Sequence, residues 1–266
     1  MLSQGGLHAE DIDTSKPHPA RIYDYLLGGK DNYEVDQRAG DELAAAAPEV
    51  RIGVRANREF MLRAVRHVTG AGVRQILDIG TGLPTSPNVH EIAKETVPDA
   101  RVAYVDNDPI VNTHAEALLH RVGGTSSVLA DLRDPRGVVD HPEVRRVIDF
   151  DEPVALFLVA VVHFLTDAEQ PERIVATLRD ALPTGSFLVL SHATSDFADR
   201  SDAQAVYNQA TATLNLRSRA RVERFFDGFE LVDPGLTQVP FWRPEGTPSE
   251  RSGEIGIYGG VARKLD

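Results

Sequence analysis

Two short stretches constrain this chain more than any others. Residues 76–82 read Ile-Leu-Asp-Ile-Gly-Thr-Gly, and residues 102–109 read Val-Ala-Tyr-Val-Asp-Asn-Asp-Pro. The first is an apolar strand that stops in a glycine turn. The second is an apolar strand that stops in acids, and the interval between them holds one helix. Together they predict a βαβ unit whose ligand site lies at the carboxyl ends of two adjacent parallel strands. Gly80 and Gly82 allow a sharp turn and a close backbone approach. Asp106 then stands where a ribose hydroxyl pair needs an acceptor, so the unit reads as a site for an adenosine-containing cofactor.

The turn discriminates between cofactors. A dinucleotide site needs Gly-x-Gly-x-x-Gly running into a helix N-terminus, where amides and the helix dipole hold a pyrophosphate. Here Thr85 takes the third glycine's place, Pro84 has no amide to donate, and Pro87 follows. Asp78, two positions before Gly80, opposes a pyrophosphate but tolerates the ammonium and sulfonium end of S-adenosylmethionine. Residues 127–132, Ser-Val-Leu-Ala-Asp-Leu, supply a third apolar run ending in an acid. The three runs together resemble the class I methyltransferase arrangement, which implies that Asp131 would accept the adenine amino group and the Leu132 amide would reach a ring nitrogen. Gly80, Thr81 and Gly82 face the methionine half, and Asn107 stands beside Asp106 at the ribose. The competing reading is a generic α/β core whose strand-end acids only cap helices.

Charge and composition narrow the partners. The net charge of −12 opposes nonspecific binding to nucleic acid. Arg217, Arg219, Arg221 and Arg224 form the one dense basic cluster, expected as a solvated helix face beside Glu223 and Asp227. No apolar run approaches the ~20 residues of a membrane span. The longest, Val154 to Val162, reads as a strand buried on both faces. Met1 to Lys16 lacks the apolar centre of a signal peptide. With no cysteine, disulfides and thiolate chemistry are excluded, and no His/Asp/Glu spacing suggests a metal site. These features predict a cytoplasmic protein acting on a small molecule, without a membrane or nucleic-acid partner.

Along the chain, residues 1–18 read as a polar tail and 19–70 as a helical cap, with helices over about 20–27, 33–46 and 54–68. A core over 71–266 follows. Strands are expected near 74–79, 101–106, 126–130, 153–160 and 186–191, separated by helices. Asp108 and Pro109 give one helix a clean start. Thr166-Asp167-Ala168-Glu169 reads as a capping box opening a helix to Ala181. Residues 193–227 read as helical. Residues 229–232 and 254–263 read as two late strands joined by a Pro-, Gly- and Ser-rich loop. The pattern predicts one structural domain: a three-layer α/β fold with a mostly parallel, seven-stranded sheet and an antiparallel late strand.

The motif apolar-apolar-Asp-apolar-Gly-x-Gly at 76–82 resembles the opening of class I methyltransferases. More specifically, the chain resembles a bacterial family of S-adenosylmethionine-dependent methyltransferases marked by Tyr-Asp-Tyr-Leu-Leu-Gly-Gly-Lys-Asp-Asn, here Tyr23 to Asn32. The likeness continues through 77–85, 104–109, 130–135, 190–194 and 258–263, nearly the whole chain. It implies a Rossmann-like class I fold that binds S-adenosylmethionine and releases S-adenosylhomocysteine, and it implies no acceptor.

Methyl transfer from a sulfonium asks mainly for alignment and exclusion of water. A general base is needed only when the nucleophile must first lose a proton. His163, directly after the fourth strand, is the leading candidate base. Packing against the cofactor is its alternative role. His192, at the end of the fifth strand, has a similar claim, with a structural hydrogen bond as the alternative. The Tyr23–Asn32 stretch is either a packing helix or a lid that lays Tyr25 on the cofactor, with Gly28 permitting close approach. Asn57 and Arg58 are expected to open a further helix near the first strand. Trp242 is read as a pocket wall or a packing anchor. The N-terminal helices and residues 193–227 are expected to form the acceptor pocket. Two rivals stay open: a noncatalytic S-adenosylmethionine-binding module and a nicotinamide-dependent oxidoreductase.

Overall fold

Sheet register decides where the three strand ends meet. A computed structural model describes residues 14–265; the first 13 residues of the expected polar tail lie outside the described residues. Five strands are parallel: β1 (Gln75–Ile79), β2 (Arg101–Asp106), β3 (Thr125–Leu129), β4 (Ala155–Val159) and β5 (Phe187–Ala193). Three late segments follow: β6 (Glu230–Leu231), β7 (Thr237–Gln238) and the long β8 (Ile257–Arg263), which runs antiparallel to β5. The order is β3-β2-β1-β4-β5-β8-β6, with β7 also on β8. Both β6 and β7 pair β8 in an antiparallel sense, so the seventh sheet position is an interrupted edge strand. The Pro234-Gly235 turn between its pieces explains the interruption. This is the Rossmann-like class I methyltransferase fold. Ile79 lies opposite Val105, Asp106 opposite Leu129, and Asp78 opposite Phe157. The ends of β1, β2, β3 and β4 therefore open on one crevice, at the point where strand order reverses.

Alternation along the strands builds two apolar layers. Leu77, Ile79, Val105, Leu156 and Leu188 face one side with α6 (Pro135–Val139), α7 (Pro142–Val147) and α8 (Pro171–Asp180). Ile76, Val102, Phe157 and Val189 face the other. There α3 (Val50–Gly70), α4 (Val89–Thr96) and α5 (Pro109–Leu119) cover them. Helix α3 carries Phe60, Ala64, Val65 and Val68 into that layer, a helical stripe. Burying each of its large side chains contributes roughly 1.5–3 kcal/mol. A third cluster joins α1 (Pro19–Leu27) and α2 (Glu34–Ala46) to α9 (Ser201–Tyr207), through Ile22, Leu26, Leu43 and Ala203. The N-terminal helices thus pack on the core and on the late segment that follows β5. No helix among the described residues is long and apolar enough to cross a membrane.

Three expectations change. The box at Thr166 forms, but it caps a 3-10 turn over Asp167–Glu169, and α8 begins afresh at Pro171. The residue before a proline is disfavoured in the α region, and Gln170 sits at φ 55° instead. Residues 193–227 are helical only in α9, in α10 (Arg219–Glu223) and in the 3-10 turn Arg224–Phe226 that continues it. The stretch between α9 and α10 packs as irregular chain, which a helical reading of the polar pattern did not foresee. Asn57 and Arg58 lie two turns inside α3, not at a helix start.

Candidate active site

A cavity of about 310 Å³ opens at the carboxyl ends of the strands. The strand-end residues the sequence singled out converge on it: Asp78, Gly80, Thr81, Gly82, Asp106, Asn107, Asp131 and Leu132. Gly80 and Gly82 have φ of 74° and 66°, so the turn uses the left-handed backbone that glycine allows. A Cβ on Gly80 would also strike the Val161 side chain. The turn is tied to β2: Gly80 N–H donates to Val105 O at 2.8 Å, and Gly82 N–H donates to Asp106 Oδ2 at 2.8 Å. Asp106 Oδ1 accepts from Asp108 N–H at 3.0 Å. Asp131 Oδ1 accepts from the Arg133 amide at 2.8 Å.

Two carboxyls here are buried among few cations. Burial pushes Asp78 up to about 7, against a hydrogen bond from Thr81 Oγ1 at 3.1 Å and the Arg58 charge. Burial likewise pushes Asp106 up to about 6, although the backbone amides of Asp108, Gly82 and Asn107 favour its ionised form. Ionised Asp78 without a cation is therefore an unfavourable state, which a cationic ligand relieves.

The cap contributes through α1 and α3. Tyr23, not Tyr25, faces the cavity. Two residues on a helix are about 200° apart, so the two tyrosines point oppositely. Tyr25 packs on Gly40 of α2, and its hydroxyl donates to Asp41 at 2.7 Å. Gly28 ends α1 in the left-handed conformation as its C-cap and does not line the cavity. The Tyr23 hydroxyl donates to Val54 O at 2.9 Å and accepts from Asn57 Nδ2 at 3.0 Å. Asn57 and Arg58 both line the cavity. Arg58 donates to the carbonyls of Thr85 and Pro87, holding the loop after the glycine turn. Asn57 Oδ1 and Arg58 Nε are buried and unpartnered.

The histidines divide. His163 lines the cavity, and its Nδ1 accepts from the Ala193 amide at 3.2 Å. Burial, with Arg217 nearby, pulls it down to about 3. It is neutral, and the bond to Nδ1 puts its proton on Nε2. His192 lies outside the cavity wall and is fully buried. Its Nε2 is 3.1 Å from Arg217 Nη1, its Nδ1 is 2.7 Å from Ala193 O, and its ring stacks on Phe225. With both nitrogens engaged, its place is structural.

Arg217 departs from the solvated face expected of its cluster. It is 2% exposed and donates to Leu165 O at 2.7 Å and to Asp167 Oδ1 at 2.8 Å, fixing the loop that carries His163. Trp242 is a packing anchor, fully buried edge-on against Phe60 at 5.5 Å. Sequence reasoning missed Tyr207 of α9 and the Glu49–Arg200 ion pair on the far wall. The period of α1 could have selected Tyr23, which lies one turn from Pro19 on the same face. No local signal marks Glu49, Arg200 or Tyr207.

A family profile described as S-adenosyl methyltransferase matches residues 6–265. The chain belongs to the S-adenosyl methyltransferase family. Its cofactor is S-adenosylmethionine. A DUF574 family protein from Streptomyces avermitilis is similar at 46% identity and TM-score 0.91, covering 95% of this chain and 99% of that one. A protein from Thermobifida fusca, described as a candidate methyltransferase, shares 39% identity at TM-score 0.91, over 96% and 97% of the two chains. The N-methyltransferase NodS of Bradyrhizobium japonicum shares the fold at 15% identity and TM-score 0.52, over 92% and 100%. A search of curated proteins returns no match.

Proposed function

We propose that this family member transfers the methyl group of S-adenosylmethionine to a small molecule bound in the same cavity. The observation that carries the reading is the convergence of Asp78, the Gly80–Gly82 turn, Asp106 and Asp131 on one wall. The residues fit the cofactor's chemistry. Asp106 and Asn107 would take the ribose, and Asp131 with the Leu132 amide the adenine. The methionine end is a zwitterion, and the wall beside it holds complementary unpartnered groups. Asn57 Oδ1 and the Asp78 carboxyl would accept from the ammonium, and Arg58 Nε would donate to the carboxylate. When bound, S-adenosylmethionine supplies an electrophilic methyl on a charged sulfur. The chain's own part is to align an acceptor with it and exclude water. His18, Pro19 and Ala20 close the cavity from the cap side.

A dinucleotide fits less well. Helix α4 keeps its N-terminal groups in its own capping box, with Glu91 accepting from the Asn88 amide. That carboxylate stands where a pyrophosphate would need amides. Calorimetric titration of S-adenosylhomocysteine and NAD into the purified protein tests the reading. Saturable binding of the first, with a raised melting temperature, supports it. Binding of NAD alone overturns it.

A further inference from the structure

We propose that His18 is a further cofactor-binding residue: held by Asp108, it hydrogen-bonds through Nε2 to a ribose hydroxyl and so closes the cap over the nucleoside half of S-adenosylmethionine. The inference deepens the reading above and rests on the ribose lying at Asp106.

The ring stands where the cap meets the end of β2. His18 is the N-cap of α1, with Pro19 at the first helical position, and its amide donates to Asp36 Oδ1 at 2.9 Å. Behind it, Arg21 Nε lies 3.6 Å from Asp36 Oδ1 and 3.8 Å from Asp108 Oδ2, and these three charged side chains are buried. Ala20 packs with Leu83, Ile110 and Val111, which seats the start of α1 on the glycine-turn loop and the first turn of α5. His18 Nδ1 lies 3.1 Å from Asp108 Oδ2. Asp108 in turn donates its amide to Asp106 Oδ1 at 3.0 Å and accepts through Oδ1 from the Ile110 amide at 2.9 Å. Asp108 does not line the cavity, whereas His18, Asp106 and Asn107 do. The imidazole therefore stands between a buried carboxylate and the open space beside the residues proposed for the ribose.

The two ring nitrogens divide by what surrounds them. Asp108 Oδ2 is buried and has no hydrogen-bond partner among the described residues. A buried carboxylate oxygen left without a donor is costly. An imidazole proton on Nδ1 answers it, and gives up only the 3.3 Å contact with the Ala20 amide. Burial, reinforced by Arg21, draws His18 below its ordinary value against the pull of Asp108 and Asp36, so the ring is neutral near neutral pH. Nε2 then carries a lone pair, and none of the described residues bonds to it. A ribose hydroxyl suits that lone pair: it donates to Nε2 while Asp106 accepts from its neighbour. Sheet order sets His18 apart from the acceptor side. It stands over the end of β2, whereas Phe164 follows β4, and β1 lies between those strands. That position gives His18 to the nucleoside rather than to the methyl acceptor.

Calorimetric titration of the full chain tests the assignment with S-adenosylhomocysteine, its 2′-deoxy and 3′-deoxy analogues, and 5′-methylthioadenosine. The variant is His18→Asn, because asparagine still caps α1 but is shorter than the imidazole. It should bind S-adenosylhomocysteine about fivefold to tenfold more weakly than the parent, the loss of one hydrogen bond. 5′-Methylthioadenosine keeps the ribose and lacks the amino acid, and its binding should weaken by the same factor. For the deoxy analogue that lacks the partnered hydroxyl, variant and parent should agree within about twofold. Parent-like binding of S-adenosylhomocysteine by His18→Asn overturns the proposal. Equal weakening of all four ligands overturns it too, since a residue that only supports the cap would not distinguish hydroxyls. If circular dichroism shows that His18→Asn fails to fold, Asp108→Asn replaces it. Asparagine can still cap α5, and the same hydroxyl-selective loss is expected. Parent-like binding by Asp106→Ala would instead sink the placement of the ribose on which the inference rests.

Discussion

The two walls of the cavity are built differently. The proposed cofactor wall comes mainly from residues at the ends of neighbouring strands, announced by apolar runs that stop in a glycine or an acid, with Asn57 and Arg58 added from α3. The wall we propose for the acceptor gathers Leu43 and Val50 from the cap, Phe164 from the loop after β4, Tyr207 from α9 and Ile255 from the approach to β8. These are far apart in sequence and carry no shared motif. One wall is polar, with Asp78, Asn57 and Arg58 on it; the other is mostly apolar, with the Glu49–Arg200 ion pair as its charged element. The contrast teaches that recognition of the common cofactor is written locally, where sheet register enforces it. On the proposed reading, acceptor choice would depend on how distant helices dock.

The largest effect expected on that contrast comes from Gly80→Val. The new side chain would collide with Val161 and force a β-branched residue to a positive φ. S-adenosylhomocysteine binding should become undetectable by calorimetry, and the melting temperature should fall. A variant that binds like the parent would mean the turn does not need its glycine, and the cofactor wall would lose its centre.

Proton linkage gives the next effect. Asp78 at about 7 and Asp106 at about 6 both lie above the usual carboxylate value of 3.8. The folded chain therefore holds protons that the unfolded chain has already lost. Their contribution to stability is greatest below that ordinary value and is lost as pH rises through about 6 and 7. A ligand ammonium favours ionised Asp78, so binding releases a proton below pH 7. S-adenosylhomocysteine affinity should rise by up to about tenfold per pH unit below about pH 7 and level off above it. Asp78→Asn should flatten the profile and raise the melting temperature of the free protein at alkaline pH. A profile that is flat in the parent contradicts the assignment of Asp78 to the cation.

The strand ends behind these predictions are legible in the sequence. The matched runs ending at Ile79 and Asp106 placed β1, β2 and their shared crevice, because period and punctuation are local properties. Asp108 with Pro109 marked the start of α5 for the same reason. The late segment was opaque. Residues 208–218 are polar and contain no glycine, so their pattern resembles a helix, yet they are held as irregular chain. Asn215 N–H donates to His163 O at 2.7 Å, and Gln204 donates to Leu214 O at 2.7 Å. Arg217 is buried for a non-local reason as well: carbonyls of the 162–165 loop and Asp167 gather around its guanidinium. Which of Tyr23 and Tyr25 faces the cavity is a matter of helix phase, which the sequence settles only once the packing partner is known.

The smallest effect separates those two tyrosines. Tyr23→Phe removes the hydroxyl that holds Asn57 and should cost about 1 kcal/mol of stability, roughly 3 °C, with a modest loss of S-adenosylhomocysteine affinity. Tyr25→Phe removes a solvent-exposed bond to Asp41 and should leave affinity unchanged. Thermal melts and titrations of the pair check this. The reverse ranking would return Tyr25 to the cofactor.

The division of the cavity is tested most directly by titrating S-adenosylhomocysteine into Asp106→Ala and Tyr207→Leu side by side, with circular dichroism confirming that both fold. Asp106→Ala should bind about 100-fold more weakly, the loss of charged hydrogen bonds to the ligand. Tyr207→Leu should stay within about twofold of the parent, because its side chain belongs to the other wall. Parent-like binding by Asp106→Ala, or an equal loss in Tyr207→Leu, would contradict a cavity whose cofactor and acceptor walls are separate.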